Sequence, residues 1–441
     1  MPSSRHDSLF SLPGLGSGRS AIVLSAVLLG VLFVSRIALL PDGPWEQDEA
    51  LFAAGVIDFD VTRHRPHPPG FPGWIALGTL LHPLVGDPVL ALQLASALAS
   101  IVLFAALAHA LTRLTQGPTA TLAAAAFTVS PLAWVHAGRA FSTTPALACA
   151  VAALVAWPRG PWVHRLGWVL LGCAATIRPQ LLPELCILAL VGLMDPGSDR
   201  TVKLQGIGLG VAVVGLATAT VLLTAGPSPA AVAHAFVDHL GRHRGGLDRS
   251  VSFSSLGLVR GLGHPAVAVA VLAATALGLV RAFAAGRRQG LWLIALVLVT
   301  AAAVFRLHHP GFPRYAVALL AALVPAAAMG LDALPARWSR AVWIVAIAFG
   351  GVASLGPLLS MHKAPLPPVA AARRALMDPG LSALAYSHGI FSFARLEAER
   401  AGARGIDVQD PAAPLRLPAG AYAIEGRTLP WMRLEVGARE R

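Results

Sequence analysis

Near-continuous apolar runs of about twenty residues recur along most of this chain, each long enough to cross a hydrocarbon core about 30 Å thick as a helix. They lie near residues 21–40, 89–111, 119–136, 142–157, 165–178, 180–194, 203–224, 265–284, 289–305, 314–333 and 339–359, about eleven crossings in all. Backbone groups in lipid must bond within their own segment, so these crossings are helices. Composition agrees, since 56% of the 441 residues are hydrophobic, 13% are charged and mean hydropathy is +0.66, which is more apolar surface than a soluble chain needs. The block around 165–194 is split by Arg178-Pro179 into two short stretches, and reads either as a tight helical hairpin or as one kinked helix.

The formal charge of +12 does not point to nucleic acid, because the basic residues are scattered among short loops and form no stripe. Cys149, Cys173 and Cys186 fall within apolar segments and imply no disulfide framework. The first run is long, contains Arg36 and lacks a small-residue cleavage pattern before Pro41, so it is expected to be a retained span. If every run crosses, Arg5, Arg19, Arg113, Arg159, Arg165, Arg200, Lys203, Arg287, Arg288, Arg337 and Arg340 share one side, which the positive-inside rule makes cytoplasmic. The expected organisation is then a cytoplasmic tail at 1–20 and a membrane domain at 21–360 whose outer loops are 41–88 and 225–264. An extracytoplasmic C-terminal region follows at 361–441. That last region enters through a Pro-rich stretch at 364–368 and alternates strand-like segments at 381–387 and 421–425 with a helix-like one at 391–401. It reads as a small α/β appendage, carrying no motif that suggests chemistry, on an otherwise all-α polytopic membrane protein.

Chemistry is concentrated at the outer ends of the spans. Asp48 and Glu49 sit in the cluster Trp45-Glu46-Gln47-Asp48-Glu49, and the residues Leu51 to Ile57 after them suggest an amphipathic helix lying in the membrane interface. Carboxylates held there can act as a general base or bind a metal, or be plain solvated charges. The run Arg65-Pro66-His67-Pro68-Pro69-Gly70-Phe71-Pro72 is stiff and offers cationic groups to an anion; as an ordinary feature it is a rigid re-entry turn. Arg139, in Gly138-Arg139-Ala140-Phe141-Ser142, and Arg178, at the break in the 165–194 block, are either anion ligands or headgroup anchors. Arg314 and Tyr315 open an Ala-rich helix, where a phosphate or a membrane interface would suit them equally. In the loop 225–264, Arg242 and Arg244 are candidate anion contacts. His239 and His243 would share a helix face there, but no third metal ligand is fixed by spacing. Under one topology all these residues lie on the same side, where a carboxylate facing several cations suits a phosphate-bearing lipid.

The order and wording of these motifs resemble the polyprenyl-phosphate-sugar-dependent glycosyltransferases of the GT-C superfamily, in the branch of protein O-mannosyltransferases and aminoarabinose transferases. Asp48-Glu49 resembles the family's first-loop acidic pair, His67-Pro68-Pro69 its basic-Pro-Pro turn, Ile177-Arg178-Pro179 its basic break and Pro313-Arg314-Tyr315 its late Arg-Tyr segment. His67 stands where the family often has Lys, and Thr143-Thr144 where an acidic residue is frequent. The resemblance implies a membrane enzyme of the cell envelope, in the inner membrane, that moves a sugar from a polyprenyl phosphate to an acceptor outside the cytoplasm: a protein, lipid or glycan. It implies inversion, with Asp48 as general base and Glu49 orienting the acceptor or a metal. Arg65, His67, Arg178, Arg314 and Tyr315 would hold the lipid phosphate, helped by Arg139, Arg242 and Arg244. No cofactor is required by this chemistry, although a divalent metal is compatible with it. The rival reading is a transporter or lipid flippase, whose signs would be internal repeats and ionisable groups near span centres.

Overall fold

The computed structural model describes residues 19–195, 198–244, 252–306, 310–387, 391–408, 421–428 and 434–440. Its helices are α1 (Arg19–Ala38), α2 (Gln47–Ile57), α3 (Pro72–Val85), α4 (Pro88–Leu111), α5 (Gly117–Val129), α6 (Pro131–Ala137), α7 (Thr143–Ala156), α8 (Pro161–Ile177) and α9 (Leu182–Leu193). They continue as α10 (Arg200–Thr224), α11 (Pro229–Arg244), α12 (Gly257–Gly261), α13 (Pro265–Ala285), α14 (Arg287–Arg306), α15 (Pro313–Leu331), α16 (Ala336–Lys363), α17 (Pro367–Ala375) and α18 (Phe391–Arg400). Among these, α4, α10, α13, α15 and the α16–α17 stretch are long and apolar enough to cross a membrane. The bent pairs α5–α6 and α8–α9 raise the number to seven if each is one span. Shorter apolar helices, Val23–Ala38 within α1, α3, α7 and Gly290–Arg306 within α14, pack among them. The chain is a multi-pass, all-α membrane protein with a small α/β appendage.

Two prolines break spans, and the break at Arg178-Pro179 lies at the candidate site. At 165–194 the hairpin is what forms: α8 and α9 are bent by 119° about a single turn of 3-10 helix, Pro179–Leu181. Proline disfavours helical geometry in the residue before it, and Arg178 is accordingly held at φ −142°, ψ 85°. The run expected as one crossing at 119–136 is bent by 64° at Ser130-Pro131, where Ser130 caps α6 by accepting from the Ala133 N–H at 3.2 Å. The carbonyls freed by this bend find new donors: Thr128 O accepts from buried Arg36, and Val129 O from Ser354 Oγ at 3.2 Å.

The loop 41–88 contains a helix that hydrophobic run length missed. Pro72 at the first helical position starts α3, Gly86 at φ 72° ends it, and Asp87 caps α4 by accepting from the Val89 and Leu90 N–H groups. The helix expected at 51–57 is present as part of α2 but offers no free apolar face over most of its length, since Glu49 to Val56 are all buried. Its outer face is covered by the C-terminal region, which is why an amphipathic pattern did not mean a wet face. There, β1 (Ala383–Ser387), β2 (Arg404–Val408), β3 (Ala421–Thr428) and β4 (Leu434–Glu440) form a sheet in the order β2-β1-β3-β4. β1 is parallel to both β2 and β3, with α18 as the β1-to-β2 crossover, and β4 is antiparallel to β3. The apolar core runs unbroken from Phe52, Trp74, Phe141 and Trp168 into Val369, Leu384, Tyr386 and Phe393. The appendage is too small for a core of its own and shares that of the bundle.

Candidate active site

The N-terminus of α2 carries three carboxylates, and each meets an arginine from a different part of the chain. Glu46, at the N-cap, makes no side-chain bond to its own helix; Oε1 accepts from Arg139 Nη1 and Oε2 from Arg314 Nη1, both at 2.8 Å. Glu49 is fully buried and accepts from Arg139 Nε at 2.7 Å and from Arg139 Nη2. The Ala140 N–H (3.2 Å) and Trp45 N–H (3.3 Å) complete its shell. Asp48 Oδ2 lies 2.7 Å from Arg314 Nη1 and keeps an open side, with 26% of its side chain exposed.

Burial and charge divide these groups. Burial pushes the Asp48 carboxyl up, but the charges of Arg314, His67, Arg178 and Arg139 outweigh it and hold it below the usual aspartate range. Burial likewise raises Glu46, and Arg139 and Arg314 more than offset it, so Glu46 is also held low. At Glu49 burial wins over Arg139, with the Glu46 charge adding to it, and the carboxyl is pushed up. Of the three, Asp48 is the one that combines access with a charged form.

The cations have their own supports. Arg139 stands on the turn between α6 and α7, its guanidinium 4.6 Å from the Phe141 ring. Arg178, at the α8–α9 break, donates from Nη1 to Ser142 Oγ at 3.0 Å and lies 5.8 Å from the Tyr315 ring. Arg314 Nη2 donates to Tyr315 Oη at 3.2 Å. Ser142 is the N-cap of α7 but makes no side-chain bond to that helix, and α15 likewise starts without a side-chain cap. The N-termini of α7 and α15, with their positive dipole ends, thus lie beside Arg178 and Arg314, an arrangement that favours a phosphate.

The structure brings Asp48, Glu49, Arg139, Arg178, Arg314 and Tyr315 together and adds two residues that sequence reading passed over. Glu46 lies in the quoted acidic cluster, and its spacing to Glu49 would have paired them; Ser142 gave no signal. Arg65 is engaged elsewhere, with Asp58 at 3.0 Å and with Glu399. His67 stays close enough for its charge to act on Asp48, packing against Phe52 and Phe71 and stacking on His239, ring centroids 5.5 Å apart. Arg242 and Arg244 are in the last turn of α11, and their side chains, like that of His243, lie outside the described residues. Among the described residues no group of three or more His, Cys, Asp or Glu is placed to hold a metal ion.

Beneath the site runs an apolar cavity of about 210 Å³, lined among others by Leu107, Leu147, Leu185, Leu188, Leu296 and Ala318. Its upper end, at Leu181 and Ala318, is one helical turn from Arg178 and Arg314, and its lower end reaches Arg113 and Val191.

No family model matches the chain, and no curated protein matches it. Solved structures do. ArnT from Cupriavidus metallidurans bound to undecaprenyl phosphate superposes with a TM-score of 0.60 at 16% identity, covering 93% of this chain and 94% of that one. The same enzyme in the apo state gives 0.57 at 16% identity, covering 89% and 86%. An oligosaccharyltransferase from Archaeoglobus fulgidus, in complex with zinc and sulfate, gives 0.52 at 14% identity over 87% of this chain and 62% of that one. The chain shares its fold with these structures, ArnT among them, as the resemblance to the aminoarabinose transferase branch implied.

Proposed function

We propose that this protein transfers a sugar from a polyprenyl-phosphate donor to an acceptor hydroxyl at the extracytoplasmic face of a cell-envelope membrane, with inversion. The observation that carries the reading is the position of Asp48: an accessible, charged carboxylate beside Arg314 and under the charge of Arg178, with an apolar cavity that begins one helical turn from both arginines. An isoprenoid chain suits the groove, and its phosphate suits the two arginines and the N-termini of α7 and α15. The likeness to an ArnT bound to undecaprenyl phosphate supports the same donor class.

The chemistry balances within these groups. The acceptor oxygen attacks the anomeric carbon as its proton passes to Asp48. The bond from that carbon to the phosphate oxygen breaks, and its electron pair leaves with the lipid phosphate. Negative charge grows on the phosphate during the step, so Arg178, Arg314 and the Tyr315 hydroxyl interact more strongly with the transition state than with the donor. Arg314 serves both partners: before the donor arrives it neutralises Asp48, and the phosphate then competes for it, leaving the carboxylate a better proton acceptor. Glu46, Glu49 and Arg139 hold α2 and orient Arg314, with no free edge for substrate.

The test is transfer of radiolabel from synthetic polyprenyl-phosphate sugars to envelope acceptors by the purified protein in nanodiscs. Wild type is expected to transfer label, and Asp48→Asn to lose about 10²- to 10⁴-fold in rate while remaining inserted and folded. An unchanged rate in Asp48→Asn overturns the base assignment, and lipid translocation without covalent transfer would instead favour the flippase reading.

A further inference from the structure

Among the described residues, ion pairs join the C-terminal region to the loop 41–88 at three places. Arg373 Nη1 pairs with Asp42 Oδ1 at 2.8 Å near the start of the loop, Glu399 pairs with Arg65 in its middle, and Arg400 pairs with Asp87 at its end. Within the region, Glu397 ties Arg373 (3.2 Å) to Arg400 (3.0 Å), and Arg395 holds Glu399 at 2.8 Å. Isolated surface pairs contribute little, but here Arg65 and Glu397 are buried and the pairs form two networks, Asp42–Arg373–Glu397–Arg400–Asp87 and Arg395–Glu399–Arg65–Asp58.

The middle contact is the one connected to Asp48. Arg65 closes a backbone bridge with Asp60 and also holds Asp58, the C-cap of α2. α2 packs against the Arg65-Pro66 backbone so closely that a Cβ on Gly55 would lie 2.7 Å from Pro66 Cδ and 3.0 Å from Pro66 N. On its other side α2 meets α18 across a narrow seam lined by Ala50, Leu51, Ala54, Arg65, Ser392 and Leu396. An 11-residue helix is a rod of roughly 16 Å, so a shift at its Arg65 end is carried to Asp48 at the other.

We propose that the C-terminal region is a clamp on the catalytic loop, and that Glu399, acting through Arg65, is a positioning residue for Asp48. The kinetic half of this rests on the reading of Asp48 as the base; the mechanical half does not. Arg65 then takes no part in holding the donor phosphate, which stays with Arg178 and Arg314 on other helices.

Two readouts on the full-length protein separate the possibilities: steady-state transfer with varied donor, and hydrogen–deuterium exchange over residues 47–65. Glu399→Gln and Arg65→Gln are each expected to lower kcat by about 10- to 100-fold with donor KM unchanged, the loss that a misplacement near 1 Å produces. The double variant is expected to be no worse than Arg65→Gln, and exchange over 47–65 to rise in all three. Arg65→Lys, which keeps the charge, is expected to recover part of kcat. A raised donor KM in Arg65→Gln with Glu399→Gln indistinguishable from wild type overturns the proposal, because Arg65 would then be touching the donor. If wild type shows no transfer, the functional reading fails and exchange decides alone: faster exchange in Glu399→Gln supports the clamp, and unchanged exchange sinks it. If Arg65→Gln does not fold, Glu399→Gln carries both readouts.

Discussion

Replacing Arg139 by Gln tests how the acidic end of α2 is kept in place. Arg139 is 3% exposed and directs all three guanidinium nitrogens at carboxylates, two at Glu49 and one at Glu46. Without it, Glu49 keeps only the Ala140 and Trp45 N–H groups, at 3.2 and 3.3 Å, and faces Glu46 with no cation between them. Removing one partner of a buried ion pair costs about 3–5 kcal/mol, and the complete burial of Glu49 places this site in that range. The pair Arg139→Gln/Glu49→Gln removes the stranded charge while Glu46 retains Arg314, so the deficit should fall to about 1–2 kcal/mol. A pH signature follows. Burial already holds the Glu49 carboxyl above its usual value, and loss of Arg139 raises it further. Between the unfolded value, about 4.3, and the raised folded one, the native protein binds a proton that the unfolded chain does not. The Arg139→Gln deficit must therefore shrink as pH falls through the folded value. Unfolding by SDS titration in mixed micelles at two pH values measures both effects. A loss below about 1 kcal/mol, or a double variant no more stable than the single one, would refute the reasoning.

Arg314→Gln should raise donor KM and also change the pH profile. In wild type the acidic limb due to Asp48 lies below the ordinary aspartate value of about 3.9, because the carboxyl is held low, and loss of Arg314 should move that limb upward; identical limbs in kcat/KM against pH would remove Arg314 from Asp48's control. Ala318→Trp, one turn below Arg314, should fill the upper groove and weaken use of a long-chain donor about tenfold or more while sparing a short-chain analogue. Equal loss with both donors would mean that the groove does not hold the chain.

The multi-pass helical architecture was legible in the sequence because lipid imposes a local condition: a span must be apolar over its own length and satisfy its own backbone. Asp48, Arg178 and Arg314 were legible as a group for a related reason. Each sits at an end of a span, and counting crossings places those ends on one side. The hairpin at Arg178-Pro179 was one of two readings, since proline marks a break without setting its angle. Local rules do not reach further. α3 was hidden because its 14 residues are short for a crossing, and the α5–α6 bend because the apolar run continues through Ser130-Pro131. The partners of the charges were hidden for a deeper reason. A guanidinium finds a carboxylate through helix packing, and nothing near Arg139 in the chain distinguishes Glu46 and Glu49 from any other acid. Arg65 shows this most clearly. It was read as a ligand for phosphate from the company it keeps in sequence, whereas its partner Glu399 is 334 residues away, in a region that displayed no chemistry of its own. The sequence by itself determined that the chain is a multi-pass helical protein and which charged residues gather at one end, whereas of its eleven expected crossings the structure has, among the described residues, five helices, or seven counting the bent pairs, long and apolar enough to cross. Only the tertiary structure decided which of those charges neutralise one another, and that Asp48, though paired with Arg314, keeps an open side.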